Sequence, residues 1–155
     1  MRIDEKLKQL NITLPTPAAP AANYVPFVIH QNVLYISGQL PIENGKVKYT
    51  GLVGKDQNQE EAIKAAELCA INILAQAKAA CEGDLEKISR CIKLGVFVAS
   101  TSEFTNQPII GNGASNLIAS ILGEKGKHSR FAVGVSALPL NATVEIDAIF
   151  EIGRA

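Results

Sequence analysis

The stretch that most constrains the fold lies near the C-terminus, between residues 130 and 152. A proline-marked turn at Leu138-Pro139 separates two segments that both read as strands. In the second segment an apolar set alternates with a more polar one: Val144, Ile146, Ala148, Phe150 and Ile152 against Thr143, Glu145, Asp147, Ile149 and Glu151. Because successive side chains of a strand point to opposite faces, the apolar set predicts a face covered by helices. Glu145 is then expected on the opposite, helix-free face.

The first of these segments opens on Arg130 and also has two unlike faces. Its bulky set is Phe131, Val133, Val135 and Ala137, and its small set is Ala132, Gly134 and Ser136. We expect the bulky set to face the helices, which places Arg130 on the helix-free face among small residues. A face that is neither wholly polar nor wholly apolar suits a subunit interface, so the sequence predicts a homo-oligomer.

The two charged residues are expected to lie far apart within one chain. If the segments pair as a simple hairpin around residues 138–143, Arg130 lies opposite the far end of the last strand and Glu145 lies near Ser136. A displacement of six residues at about 3.4 Å each is about 20 Å. One small ligand cannot span that distance. We therefore predict that the Arg130 and the Glu145 of one site come from different chains.

The rest of the chain predicts a single α+β domain over residues 1–155. A short helix at residues 2–10 and a proline-rich strap, which together take up residues 1–19, precede three strands. The strands are expected at residues 25–30, at 33–37 before Gly38, and through Val47 and Tyr49. A helix capped at residues 56–58 runs to about Cys81, a strand covers 92–99, and a second helix runs from about Ala114 to Gly123. The resulting β-β-β-α-β-α-β-β order predicts one mixed or antiparallel sheet with two helices on one face.

Charge, cysteine usage and histidine spacing exclude several classes of function. The 15 basic and 15 acidic residues give a formal net charge of zero, which argues against a nucleic-acid partner. No apolar run reaches the length of a membrane span and no signal segment opens the sequence, so we expect a cytoplasmic protein without a membrane partner. Cys69, Cys81 and Cys91 show no C-x-x-C spacing and are expected to be buried reduced thiols. His30 and His128 lack ligand partners at metal spacing, so no metal site is predicted.

Several separated motifs, in order, resemble those of the RidA/YjgF/UK114 family, whose members are also labelled endoribonuclease L-PSP. The matching pieces are Tyr24, the block Ile36-Ser37-Gly38-Gln39-Leu40-Pro41, Asn112 ahead of the second helix, Arg130, Leu138-Pro139 and Val144-Glu145-Ile146. The resemblance runs from about Pro20 to Ile152.

This resemblance implies a fold like that of bacillary chorismate mutase, a homotrimer with clefts between subunits, and hydrolysis of reactive enamines and imines to 2-oxo acids and ammonia. Arg130 would clamp the carboxylate of a small ligand, and Glu145 would activate the attacking water. The cleft would be lined by Tyr24, Ser37, Gly38 and Asn112, with His128 as an additional polar group. No cofactor or metal is implied, because an imine carbon is already electrophilic.

The sequence departs from the family pattern at four places. It has an added N-terminal helix, and one residue is inserted between Asn112 and Arg130. His128 stands where a proline commonly precedes the arginine, and Pro26 replaces a glutamine that commonly follows the tyrosine. These departures indicate a divergent, longer subgroup, and the sequence leaves the substrate open.

Other interpretations stay open at this stage. Arg130 could form an interface salt bridge, Glu145 could be an exposed strand carboxylate, and Tyr24 could be a core aromatic residue. Asn112, between Gly111 and Gly113, could sit in a left-handed turn. The clefts could bind carboxylates without turnover, as in a sensor or scaffold, and RNA cleavage remains a third function for which the neutral charge gives no support.

Overall fold

The computed structural model describes residues 1–20 and 22–153. Helix α1 spans Ile3–Gln9 and strands β1 to β4 span Phe27–His30, Val33–Gln39, Ile42–Glu43 and Lys46–Val47. They are followed by α2 (Gln59–Ala80), β5 (Ile88–Ala99), α3 (Gln107–Leu122), β6 (Ser129–Val135) and β7 (Val144–Ile152). Short 3₁₀ turns occur at Leu85–Lys87, Gly123–Gly126 and Pro139–Asn141. The predicted α+β class and mixed sheet are confirmed, whereas the third predicted strand is a separate two-stranded hairpin, β3-β4.

The main sheet has the strand order β1-β2-β7-β5-β6. Strands β5 and β6 are parallel, and the other neighbouring pairs are antiparallel. The predicted hairpin of β6 with β7 is therefore wrong, because β5 lies between them. Helix α3 forms the crossover that a parallel β5-β6 pair requires, and this crossover carries β6 to the outer edge of the sheet.

Helices α2 and α3 pack on one face of this sheet, as predicted. Asn58 caps α2 by accepting a 2.8 Å hydrogen bond from the backbone N–H of Glu61. Five alanines of α2 are fully buried and allow the helix to lie close to the apolar set of β7: Ala62, Ala65, Ala66, Ala70 and Ala77. The predicted N-terminal helix is also present, and its Ile3 and Leu7 are buried. No helix among residues 1–20 and 22–153 is long and apolar enough to cross a membrane.

The two faces of β6 are the reverse of those predicted. Arg130 is level with Leu94, a core residue of β5, and Phe131 is level with Gly95. Arg130 therefore lies on the helix-bearing face, and Phe131 lies on the helix-free face with Glu145. The reason is local space: Gly95 leaves room into which the Phe131 ring packs. Gly111 of α3 leaves corresponding room for the Arg130 guanidinium.

Helix α3 begins at Gln107, seven residues before the predicted start at Ala114. Asn112 is therefore a helical residue and does not occupy a left-handed turn, which corrects that alternative. A side chain at Gly113 would come within 2.5 Å of the Ile63 carbonyl oxygen on α2. The glycine serves close helix packing and does not mark a turn. Similarly, β2 continues through Gly38 to Gln39, with an irregular register between Ile36 and Gln39.

Candidate functional site

Arg130 is fixed in orientation by three neutral acceptors on α3. Its Nη1 donates to Asn112 Oδ1 at 3.0 Å and to Ser115 Oγ at 3.1 Å, and its Nη2 donates to the Pro108 carbonyl oxygen at 3.2 Å. A guanidinium has five N–H donors, so these three bonds leave two for a ligand. Among the described residues, no carboxylate lies within salt-bridge distance of this side chain. The positive charge of Arg130 is thus held in place without a counter-ion from the described residues.

His128 lies behind this arginine, on the side of Ser115. Its Nε2 is 2.8 Å from Ser115 Oγ, and its Nδ1 contacts the Gly126 carbonyl oxygen. His128, expected as an additional polar group of the cleft, therefore lies in the Arg130 group and contacts the guanidinium through Ser115.

A separate cleft of about 390 Å³ lies at the other end of the sheet. It brings together four of the residues predicted to line the site: Tyr24, Ser37, Gly38 and Glu145. The remaining lining is mostly apolar and comes from the strap, from the end of β2 and from the turn before β7: Ala18, Ala19, Pro20, Ala22, Pro26, Gln39, Leu40, Ile42, Pro139 and Leu140. The strap predicted as a lead-in to the domain is therefore part of the cleft wall.

Among the residues that the structure describes, Glu145 is the only acidic one that lines this cleft. Partial burial raises the pKa of its carboxyl group above the ordinary value, and the nearby negative charge of Asp147 raises it further. A carboxylate with a raised pKa is a better proton acceptor near neutral pH. Ser37 lies beside it, and its hydroxyl donates to the Val25 carbonyl oxygen at 2.8 Å, which leaves its oxygen free to accept. Tyr24 is half exposed at the cleft and is not a core aromatic residue.

The Arg130 group and the Glu145 cleft lie on opposite faces of one chain's sheet. Phe97 of β5 pairs with both Glu145 and Val133, so Arg130 is displaced from Glu145 by three residues along the strands and by two strands across. That offset is about 10 Å in each direction, in addition to the opposite facing. The two groups form separate surfaces of the protomer. The observed offset is shorter than the distance of about 20 Å expected from a hairpin, and the contribution of different chains to one site stays a prediction.

Ser115 and the Pro108 carbonyl group are site components that sequence reasoning missed. Ser115 follows Asn112 by three residues, which places both on one side of a helix. That spacing would have identified Ser115 if α3 had been predicted to start at Gln107.

Within residues 1–20 and 22–153, no group of three or more His, Cys, Asp or Glu side chains is arranged to hold a metal ion.

Comparison with known proteins identifies a family and a similar protein sequence. A family model described as "YjgF/chorismate mutase-like, putative endoribonuclease" matches residues 4–152. Protein TCP17 of Trypanosoma cruzi is 45% identical over 154 residues, covering 99% of this chain and 96% of that protein.

Two crystal structures extend the comparison to the fold. Atu1372 from Agrobacterium tumefaciens, a protein of unknown function, is 61% identical, with a TM-score of 0.91 and coverage of 97% of this chain and 92% of that one. RidA from the Antarctic bacterium Psychrobacter sp. PAMC 21119 is 27% identical, with a TM-score of 0.60 and coverage of 88% and 94%. The similarities therefore span nearly the whole chain, and the fit to Atu1372 is much tighter than the fit to RidA.

Proposed function

The chain belongs to the RidA/YjgF family and has its chorismate mutase-like fold, and on this basis we propose that it hydrolyses 2-imino acids and their enamine tautomers. The products would be 2-oxo acids and ammonia. The reaction would take place in clefts between subunits of a homotrimer, without a metal or an organic cofactor.

The observation that carries this proposal is the uncompensated guanidinium of Arg130. Three neutral acceptors orient it, two of its N–H donors are free, and no acidic side chain of the described residues neutralises it. Two N–H donors on one rigid fork match the two oxygens of a carboxylate. Arg130 would therefore bind the carboxylate that every 2-imino acid carries.

Glu145 would supply the proton transfers of the hydrolysis. Its carboxylate takes a proton from a water molecule while the water oxygen forms a bond to the imine carbon and the C=N electron pair moves to nitrogen. The same carboxyl group returns that proton to nitrogen, which gives a carbinolamine. It then takes the proton of the carbinolamine hydroxyl group and passes it to the amino nitrogen, so that the C–N bond breaks, ammonia leaves and the C=O bond forms. The raised pKa of Glu145 suits both directions of this transfer, because a group that titrates nearer the working pH can accept and release a proton.

Assembly of a complete site would require a neighbouring subunit. In one chain Arg130 and Glu145 face opposite sides of the sheet, so one ligand cannot contact both. The helix-free face also exposes apolar side chains, including Val28, Tyr35 and Val133, which are 42 to 50% exposed in the protomer. Exposed apolar side chains spread over one sheet face suit a protein–protein contact. We infer that this face joins the subunits and brings Arg130 of one chain to the Glu145 cleft of the next.

An imine-trapping assay tests the function directly. An L-amino acid oxidase generates 2-imino acids, and semicarbazide converts them to absorbing semicarbazones. An active deaminase competes for the imine, so it lowers the rate of semicarbazone formation. We expect wild-type protein to do so, Arg130→Ala to lose the effect, and Lys64→Ala to retain it as a control. Lys64 is a surface cation that pairs with Glu61 on α2.

Two other outcomes would replace the proposal with another function. Binding of 2-oxo acids, measured by calorimetry and lost in Arg130→Ala, without any effect on imine lifetime would indicate a carboxylate sensor or scaffold. Cleavage of RNA that is lost in Arg130→Ala and Glu145→Gln would instead support the nuclease activity named in the family description.

A further inference from the structure

Ser115 connects Arg130 to His128 in a continuous chain of hydrogen bonds. Arg130 Nη1 lies 3.1 Å from Ser115 Oγ, and the same oxygen lies 2.8 Å from His128 Nε2. On the far side of the ring, Nδ1 contacts the Gly126 carbonyl oxygen. Four groups, from α3, the 3₁₀ turn, the link that follows it and β6, therefore share one path of donors and acceptors.

The direction of each bond follows from the chemistry of its partners. A carbonyl oxygen can only accept, so Nδ1 of His128 carries the hydrogen that faces Gly126. In the neutral ring, Nε2 then has a free lone pair and accepts the Ser115 hydroxyl hydrogen. With its hydrogen pointing toward His128, the Ser115 oxygen turns its lone pairs to Arg130, which can only donate. His128 thus determines the direction of the Ser115 hydroxyl hydrogen, so that the lone pairs of the oxygen face the arginine.

Without this chain, Arg130 would lose part of its fixed orientation. Within the described part of the chain, the guanidinium has two side-chain acceptors, Ser115 and Asn112. A free serine hydroxyl rotates, and for part of the time its hydrogen would point at the guanidinium, which cannot accept it. Two donors aimed at each other repel, so the arginine would leave the orientation that exposes its two free N–H groups.

We propose that His128, acting through Ser115, is a positioning residue that fixes the Arg130 guanidinium for a ligand carboxylate. This inference rests on the function proposed above for Arg130, and it assigns roles to two residues that do not themselves contact the carboxylate. It also gives a physical reason for a histidine two positions before the arginine, which is one of the departures from the family pattern.

Five variants test the proposal. Ser115→Ala and His128→Ala remove the two links of the chain. Ser115→Thr keeps the hydroxyl, and His128→Gln keeps a side-chain amide that can accept from it. Ser120→Ala, an exposed serine on the same helix, is the matched control. Each variant is assayed for imine hydrolysis, for binding of 2-oxobutanoate by calorimetry, and for thermal unfolding, and the unliganded crystal structures of Ser115→Ala and His128→Ala are determined.

Loss of a hydrogen bond to a charged group predicts that Ser115→Ala and His128→Ala weaken 2-oxobutanoate binding and raise KM by about tenfold or more. The turnover number kcat should change much less, because Glu145 is untouched. The threonine and glutamine variants should recover most of the affinity, and Ser120→Ala should match the wild type. In the crystal structures of both alanine variants, the guanidinium should leave its position against Asn112 and Pro108.

Unchanged affinity in both alanine variants, or a guanidinium that keeps its position in their crystal structures, would overturn the proposal. If thermal unfolding shows that the alanine variants do not fold, the threonine and glutamine variants decide: a loss of affinity in them equal to that of Arg130→Ala contradicts a positioning role. If the wild type hydrolyses no imine and binds no 2-oxo acid, the proposed function fails, whereas the position of Arg130 in the variant structures still tests the role of His128.

Discussion

The carboxylate of Glu145 on β7 lies directly against the backbone of Gly38 on β2. A methyl group on Gly38 would overlap Oε2 and would lie 2.9 Å from Cδ of Glu145. Gly38 does not have a positive φ, so an alanine fits its backbone conformation. The glycine therefore keeps space for the Glu145 carboxylate.

Gly38→Ala is accordingly expected to lower kcat by about 100-fold, because displacement of a catalytic group by about 1 Å has an effect of that size. Its melting temperature should stay close to that of the wild type. Gly45→Ala should show the opposite combination of effects. Gly45 has φ of 79° and open space around it, so this change should lower the stability by about 1 kcal/mol and leave the activity unchanged. Imine hydrolysis and thermal unfolding of the two variants measure the contrast. Equal activities would show that Gly38 does not protect Glu145.

Glu145→Gln should lose imine hydrolysis by about 100-fold or more, since it removes the general base. At pH 7 its stability should equal or exceed that of the wild type. Burial and Asp147 raise the pKa of Glu145 in the folded chain, so folding favours the protonated carboxyl group. The contribution of Glu145 to stability is then fully present below the unfolded pKa and is lost as the pH rises through the folded pKa. Denaturant unfolding should show that, as the pH rises from 4 to 8, Glu145→Gln loses less free energy of unfolding than the wild type. A larger loss in the variant would contradict the upward direction of the pKa shift.

The successful sequence predictions have local physical causes. The faces of β7 were predicted correctly because a strict two-residue alternation leaves one arrangement that buries the apolar set. The start of α2 can also be predicted from the sequence, because an asparagine cap bonds a backbone N–H within three residues of its own position. Of the residues that the family pattern assigns to the site, Tyr24, Ser37, Gly38 and Glu145 line one cleft, whereas Asn112 and His128 lie with Arg130.

The failures concern features that depend on distant parts of the chain. The partner of β6 is β5, and that choice follows from the α3 crossover and not from the β6 sequence itself. The direction in which Arg130 faces depends on space left by Gly95 and Gly111 on two other elements. The start of α3 was missed because Gly111 and Gly113 have poor intrinsic helix propensity, and their close packing contacts are invisible before the fold is known.

Gly111→Ala and Gly113→Ala should separate binding from stability on one helix. A methyl group on Gly111 would lie 3.0 Å from Arg130 Nη1, whereas one on Gly113 would lie 2.5 Å from the backbone oxygen of Ile63. Alanine gains up to about 1 kcal/mol of helix propensity at either position. Gly111→Ala should therefore keep or raise the melting temperature but weaken 2-oxobutanoate binding several-fold, because the guanidinium must shift.

Gly113→Ala should instead lose about 1 to 3 kcal/mol of stability, because the backbone of α2 cannot move as a side chain can. Its affinity for 2-oxobutanoate, measured below its unfolding temperature, should be near that of the wild type. If both variants lose stability and affinity together, the two glycines do not have the separate roles assigned to them.

The three thiols should be unreactive in the native protein. Burial raises the pKa of Cys91 to about 12 and raises the pKa of Cys69 well above its ordinary value. The pKa of Cys81 is also raised, again mainly by burial. Because the thiolate is the reactive form, iodoacetamide at pH 8 should modify none of them in the folded protein and all three after unfolding in guanidinium chloride. Mass spectrometry of the intact chain counts the modifications, and rapid labelling of the native protein would contradict this prediction.

Mixed oligomers provide the sharpest test of a site shared between chains. Arg130→Ala retains Glu145 but lacks the arginine, and Glu145→Gln retains Arg130 but lacks the glutamate. Each homo-oligomer should therefore be inactive. If every site takes its arginine from one subunit and its glutamate from the neighbour, random mixing in equal amounts restores both residues in about one quarter of the sites. Co-refolding the two variants should therefore recover about a quarter of the wild-type rate of imine hydrolysis, whereas mixing them after assembly should recover none on a short timescale. A site with both residues from one chain would show no recovery in either case, because no subunit in the mixture carries both.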